Sequence, residues 1–195
     1  MTIAPEGTAR STAILAAAFS LILLLPSVSR AQEAARLDVF GGFSYMRFDS
    51  PTLGYADYSN LYGWNAGATV NIKLNLGVAV DLSGHYGSHL DVYSYMFGPQ
   101  YTWRREKSRF FVHGLFGKDQ TRVNIPQPTR PYFESVGASY GGGGGFDWDF
   151  SPRITIRVVQ ADYLRTDTFG STQSNVRVST GLVFHFGHIG HRPRL

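Results

Sequence analysis

His85, Ser88 and Asp91 stand close together in this chain and supply a base, a hydroxyl nucleophile and an orienting carboxylate. An acyl hydrolase needs those three types within hydrogen-bond reach of one another. His89 lies beside them, and a second histidine group, His185, His188 and His191, stands near the carboxyl end. The latter runs into a Gly/Pro/Arg-containing tail, 187–195, whose spacing forms no clear zinc ligand set, so no metal is expected there. The glycine run from Gly141 to Gly145 resembles a phosphate loop only in composition. It lacks the following Lys-Ser/Thr and leads straight into Phe146-Asp147-Trp148-Asp149-Phe150, which alternates as a strand does. Glycine in that setting marks a tight bend or room for a neighbouring aromatic. No cofactor is expected.

The elements that would position these groups are strands. Trp64, Ala66, Ala68, Val70, Ile72 and Leu74 fall on one face, with Asn65, Gly67, Thr69, Asn71 and Lys73 on the other. Leu76, Val78, Val80, Leu82 and Tyr86 repeat the pattern against Gly77, Ala79, Asp81, Ser83 and His85, so a tight hairpin at Asn75 joins the two. Tyr93, Tyr95, Phe97, Tyr101 and Trp103 likewise oppose Ser94, Met96, Gly98, Gln100, Thr102 and Arg104. A soluble core can hide one aromatic stripe. Here nearly every strand carries one, and the opposite face reads as small and polar, the arrangement of a barrel with lipid outside.

The pattern predicts eight strands, near 37–48, 61–74, 76–86, 92–104, 109–122, 136–150, 154–166 and 175–186, most of them long enough to cross a bilayer at a tilt. Tight turns are expected at Asn75, 105–108 and 151–153. Longer polar loops are expected at 49–60, 118–135 and 167–174, with a short exception at 87–91. The fifth and seventh strands are ambiguous: Phe110-Phe111 and Leu115-Phe116 are adjacent apolar pairs, and the alternation stumbles at Val159-Gln160-Ala161-Asp162 unless a bulge resets it.

The amino end predicts export. Arg10 precedes an apolar run over 13–25, Pro26 ends it, and Ser29-Arg30-Ala31 offers small residues for cleavage after Ala31. That run is shorter than the roughly 20 residues a spanning helix needs. Segment 1–31 is therefore expected to be a signal peptide, followed by a short periplasmic lead at 32–36, a barrel domain at 37–186 and a periplasmic tail at 187–195. The chain has no cysteine, hence no disulfide framework and no lipid-attachment thiol. Its 18 basic and 14 acidic residues give a net charge of +4, and losing Arg10, Arg30 and Glu6 lowers this by one. So small an excess argues for no nucleic acid. Fourteen Phe, 11 Tyr and 22 Gly, with no long apolar run after the leader, favour strands and exclude a helical membrane protein.

The inward face collects Asp38, Lys73, Asp81, Arg104, Asp147, Asp149, Arg157 and Arg177. Inside a barrel this narrow the side chains fill the interior, and charges of both signs should pair. A polar plug is the expected outcome, with a narrow pore gated by switching pairs as the alternative.

The last strand carries Val176, Val178, Thr180, Leu182, Phe184 and Phe186 on one face and Arg177, Ser179, Gly181 and His185 on the other. Its Thr180-Gly181-Leu182-Val183-Phe184-His185-Phe186 resembles the carboxyl-terminal signal read by the barrel-assembly machinery, here followed by nine further residues. With the leader and the alternating strands, residues 37–186 resemble the small bacterial outer-membrane β-barrel family of OmpA-type membrane domains and OmpX-like proteins. The resemblance implies an all-β, eight-stranded antiparallel transmembrane barrel, monomeric in outer-membrane lipid. It also implies membrane integrity, or surface adhesion or interaction through outward loops toward an unidentified extracellular ligand, and at most narrow, low-conductance passage; no enzyme activity is expected. Candidate loop contacts are Tyr55, Asp57, Tyr58, Arg130, Tyr132 and Phe133, which place aromatics beside charges. The His-x-Ser-Asn arrangement of the small lipid A deacylases is absent, which leaves a lipid hydrolase as a minor alternative. A soluble ligand carrier, with an apolar lumen, is the outside one.

Overall fold

The alternation closes on itself. The computed structural model describes residues 35–53, 57–124 and 132–187. The strands are β1 (Leu37–Phe48), β2 (Ser59–Asn71), β3 (Leu76–Tyr86), β4 (Leu90–Arg104), β5 (Ser108–Asn124), β6 (Tyr132–Asp149), β7 (Ile154–Thr168) and β8 (Ser171–Phe186). Each pairs antiparallel with its neighbour, and β8 pairs with β1 to complete a closed barrel. Closure pairs each described strand on both sides, as a spanning sheet requires. The expected leader 1–31, Tyr55, Arg130 and the tail beyond Gly187 lie outside the described residues, as does the side chain of Tyr132.

The strands begin and end in two sets of connections. On the turn side, where β1 begins and β8 ends, short links over 72–75, 105–107 and 150–153 join the hairpins. On the opposite, loop side, the described part of the first loop contains a 3-10 turn, Pro51–Leu53. Two expected loops shrink. The polar stretch expected as a loop at 167–174 is strand down to a two-residue turn at Phe169 and Gly170, both at positive φ (52° and 73°). Thr172 Oγ1 donates to Asp167 Oδ1 at 2.7 Å and Thr168 Oγ1 to Gln173 Oε1 at 2.9 Å, so the polar side chains serve cross-strand pairing. Likewise β5 and β6 continue to Asn124 and from Tyr132, placing Tyr132 and Phe133 in a strand and not in a loop.

Facing follows the alternation. Phe43, Tyr62, Trp64, Val80, Tyr95, Phe97, Phe116, Tyr163, Val178 and Phe184 stand half-exposed around the outside. In water an apolar surface continuous around the barrel would be heavily penalised; against lipid it is the favoured surface. The ambiguous strands resolve. Phe111, His113, Leu115 and Asp119 of β5 point inward, and Phe110, Val112 and Phe116 outward. In β7 the register shifts between Arg157 and Gln160, a bulge that sends both Val158 and Val159 outward and restores the phase. Gly145 faces the Phe111 ring, which a Cβ there would meet at 2.7 Å, so the glycine run makes room for an aromatic neighbour.

One expectation fails. The interior is not polar throughout. Toward the loop side Met46, Phe48, Leu61, Leu90, Val92 and Leu164 form a buried apolar cluster, and Leu53 of the 3-10 turn packs onto it. Asp49 ties that loop to β8, accepting from the Ser174 amide at 3.2 Å, while its own amide donates to Asn175 Oδ1 at 2.9 Å.

Candidate functional site

The barrel interior gathers the charged residues in three tiers. At the turn-side mouth, β1 and β8 place Asp38 opposite His185, and His185 Nδ1 donates to Asp38 Oδ1 at 2.6 Å. Asn71 Nδ2 donates to Asp38 Oδ2 at 2.8 Å, and Arg104 lies 3.8 Å from the same oxygen. Arg104 also donates to Asn71 Oδ1 and to the Leu74 carbonyl, which ties the mouth to the β2–β3 turn. On the far side Arg109 pairs with Asp149 at 2.9 Å. Thr155 Oγ1 joins the halves, donating to Asp149 Oδ1 at 2.6 Å and lying 2.7 Å from His185 Nε2. Asp38, His185 and Thr155 thus have the order of a hydrolase relay. The hydroxyl proton is already committed to Asp149, and Thr155 is fully buried, so no activated nucleophile results.

Above it, Arg157 forms a two-point pair with Asp147 (2.8 and 3.1 Å) and donates to Gln160 Oε1 at 2.7 Å. Its guanidinium lies between the Phe40 and Phe111 rings, 4.4 and 4.2 Å from their centroids, where aromatic faces partly replace water. Cross-strand pairing of Asp147 with Arg157 puts acid and base directly opposite each other.

The third tier centres on Arg177, whose residue exposure is 0%. Its guanidinium reaches across the lumen to Asp81 Oδ1 at 2.6 Å and Ser83 at 3.0 Å, and donates to Asp162 Oδ2 from Nε and Nη2 at 2.9 and 2.7 Å. Asp162 further accepts from His113 Nε2 at 2.8 Å and from Gln160 at 2.9 Å. Asn65 donates to Asp81 Oδ2 at 3.0 Å. Nearly every donor of the buried cation and both of its carboxylates are satisfied, the condition for tolerating ions away from water. Next toward the loops, Asp119 accepts from Thr166 at 2.7 Å, and His85 Nε2 lies 2.8 Å from Ser44 Oγ, with Ser179 bonded behind at 2.9 Å.

Of the eight expected inward charges, seven face the lumen and form four separate pairings. Lys73 does not: β2 ends at Asn71, and Lys73 stands exposed in the turn. Asp81 and Arg104 belong to different tiers. The reading from sequence missed Asp162 and His113 because they sit on the two strands whose facing was ambiguous, and it grouped His185 with tail histidines although its strand phase already pointed inward. The bulge after Arg157 was the available signal, since it places Gln160, Asp162, Leu164 and Thr166 on the Arg157 side.

His85, Ser88 and Asp91 do not converge. His85 is buried inside, Ser88 is exposed in the β3–β4 turn, and Asp91 faces outward on β4. Among the described residues no group of three His, Asp or Glu side chains is arranged to hold a metal ion. Of the expected loop contacts, Asp57 is exposed and Tyr58 lies under the Arg47 guanidinium at 4.7 Å; Phe133 is half-exposed at the rim. Thr180 and Phe184 of the closing strand face outward, and a Cβ on Gly181 would strike the Gly41 carbonyl, so the β1–β8 seam demands glycine.

Among the described residues the charged tiers enclose a cavity of about 30 Å³, lined by Asp38, Phe40, Gln100, Arg109, Arg157 and His185. That is room for a few water molecules at most. The apolar cluster and the Pro51–Leu53 turn lie over the loop-side end.

No family model and no curated protein matches this chain. Among solved structures it is similar to Neisserial surface protein A, at 14% identity over 80% of this chain and 100% of that one, with a TM-score of 0.61. It is also similar to Ail, the attachment invasion locus protein of Yersinia pestis, at 16% identity over 77% of this chain and 99% of that one, with a TM-score of 0.57. The same Yersinia protein in complex with the heparin analogue sucrose octasulfate gives 17% identity, 77% and 99% coverage, and a TM-score of 0.55. At such identities the likeness is one of architecture. The chain has the fold of the small eight-stranded outer-membrane β-barrels.

Proposed function

We propose that this protein is a closed outer-membrane barrel that acts at its loop side in surface interaction or envelope structure, and not through its lumen. One observation carries the reading: among the described residues the lumen is occupied by ion pairs on the turn side and narrowed by an apolar cluster on the loop side, around a cavity of only about 30 Å³. A gated pore needs a continuous polar path, and Met46, Phe48, Leu61 and Leu164 narrow the loop-side end to a polar strip of hydrogen-bonded residues that includes Asp119, Thr166 and Gln173. Hydrolysis is disfavoured by the separation of His85, Ser88 and Asp91 and by the committed proton of Thr155.

The surface that remains is the loop-side rim, where Asp57, Tyr58 and Arg47 meet solvent near the first loop. The attachment role in the name of the Yersinia neighbour supports a cell-surface partner, and a sulfated polysaccharide is one candidate class. Export by a cleaved 1–31 leader, recognition of the 180–186 segment by the assembly machinery, loops outward and termini in the periplasm complete the reading.

The test is attachment. Cells displaying the barrel, and cells displaying a version with 50–58 replaced by a short turn, are compared for binding to immobilised heparin and to epithelial monolayers. The account expects attachment that falls when 50–58 is replaced while the folded barrel is retained in the membrane. Equal attachment by both, or by cells lacking the protein, contradicts it.

A further inference from the structure

The outward face of β5 changes character along its length. From the turn side it presents Phe110, Val112 and Phe116, then Lys118 and Gln120. Such an order runs from an acyl-chain environment to a headgroup one. Beside Lys118 a groove of about 640 Å³ opens on the outside of the barrel, walled by Tyr95 and Tyr140 and floored by Ala138. Lys118 lines the groove, and the strand register brings a second cation, Arg165, beside its Tyr140 wall. Lys118 pairs with Ala138 on one side of β6, and Arg165 of β7 pairs with Tyr140, the next outward residue, on the other. Both side chains are exposed, and neither has an ion pair or hydrogen bond among the described residues. Their neighbours are engaged: Arg122 is held by Glu134 at 2.9 Å, and Arg47 lies over Tyr58.

A cation beside the lipid boundary with no protein partner calls for an anion from the membrane itself. We propose that this groove binds the phosphate of a membrane lipid in the loop-side leaflet, with Lys118 and Arg165 clamping the phosphate and Tyr95 and Tyr140 flanking the start of the acyl chains. Charge selects the class. A phosphomonoester carries about −1.5 to −2 at neutral pH, which two cations balance, whereas a phosphodiester carries one charge and leaves a cation unmatched. Guanidinium and ammonium also suit the terminal oxygens of a monoester.

Native mass spectrometry of the full chain refolded in neutral detergent tests this with dioleoyl phosphatidic acid, phosphatidylglycerol, phosphatidylcholine and inorganic phosphate, each offered alone. The expected result is one phosphatidic acid per barrel, bound about tenfold or more tighter than the other two lipids, with inorganic phosphate not retained. The Lys118→Gln/Arg165→Gln variant should lose that preference. Lys73→Gln/Lys107→Gln, an equal charge change in the turn-side links, should keep it. Undiminished phosphatidic acid binding by the first variant, equal binding of all three lipids, or retention of inorganic phosphate as strong as that of the lipid would each overturn the proposal.

Discussion

The two ends of the interior are filled with different materials. On the turn side Asp38, Asp147, Asp149, Asp162, Arg109, Arg157 and Arg177 are locked by charge-assisted hydrogen bonds of fixed direction. On the loop side Met46, Phe48, Leu61, Leu90, Val92 and Leu164 pack without directional contacts, beside a narrower strip of neutral hydrogen-bonded residues such as Thr166, Thr168 and Gln173. Ion pairs have high stakes and modest net value, because desolvation offsets their attraction. Apolar packing contributes stability in proportion to area and tolerates small rearrangements. The contrast assigns register and shape to the charged half and cohesion and sealing to the apolar half.

That division can be broken most severely at Arg177. Arg177→Met leaves Asp81 and Asp162 buried without their cation, and urea unfolding of the lipid-embedded barrel should show a loss of about 3–5 kcal/mol. The triple variant Asp81→Asn/Asp162→Asn/Arg177→Met removes the charges together and should recover most of that loss. If the single and triple variants are equally unstable, the network stabilises by attraction, and the division fails.

In the apolar half Leu164→Ala should cost about 2–5 kcal/mol, and no second change of polarity should rescue it. Next in size, His185→Gln removes the link between Asp38 and Thr155 at the mouth, with a cost of about 1–2 kcal/mol in the same unfolding measurement. The smallest effect is expected at the β7–β8 turn. Phe169 holds a φ of 52°, a conformation asparagine tolerates better, so Phe169→Asn should raise stability by up to about 1 kcal/mol.

Much of this architecture was legible in alternation alone. β1 and β3 have the bounds their patterns predict, and Val176 to Phe186 present the faces read from sequence, because a period of two leaves no other way to bury one side. The limits were physical too. Thr168, Thr172 and Gln173 read as loop because polar residues look alike whether they face water or pair across a hairpin. Leu61, Leu90 and Leu164 went unassigned because outward alternation was taken to exhaust the apolar residues, whereas a closed barrel has an inside to fill at both ends. Asp162, the shared acceptor of Arg177, His113 and Gln160, was hidden by a single extra residue at Val158–Val159.

Planar-bilayer recording of the refolded barrel tests the sealed interior most directly. The account predicts a silent membrane for the wild-type chain whenever folded barrel is verified in the bilayer, and silence again for Asp81→Asn. Defined channel steps in the wild type, with ion selectivity that changes in Asp81→Asn, would contradict it and place function in the lumen.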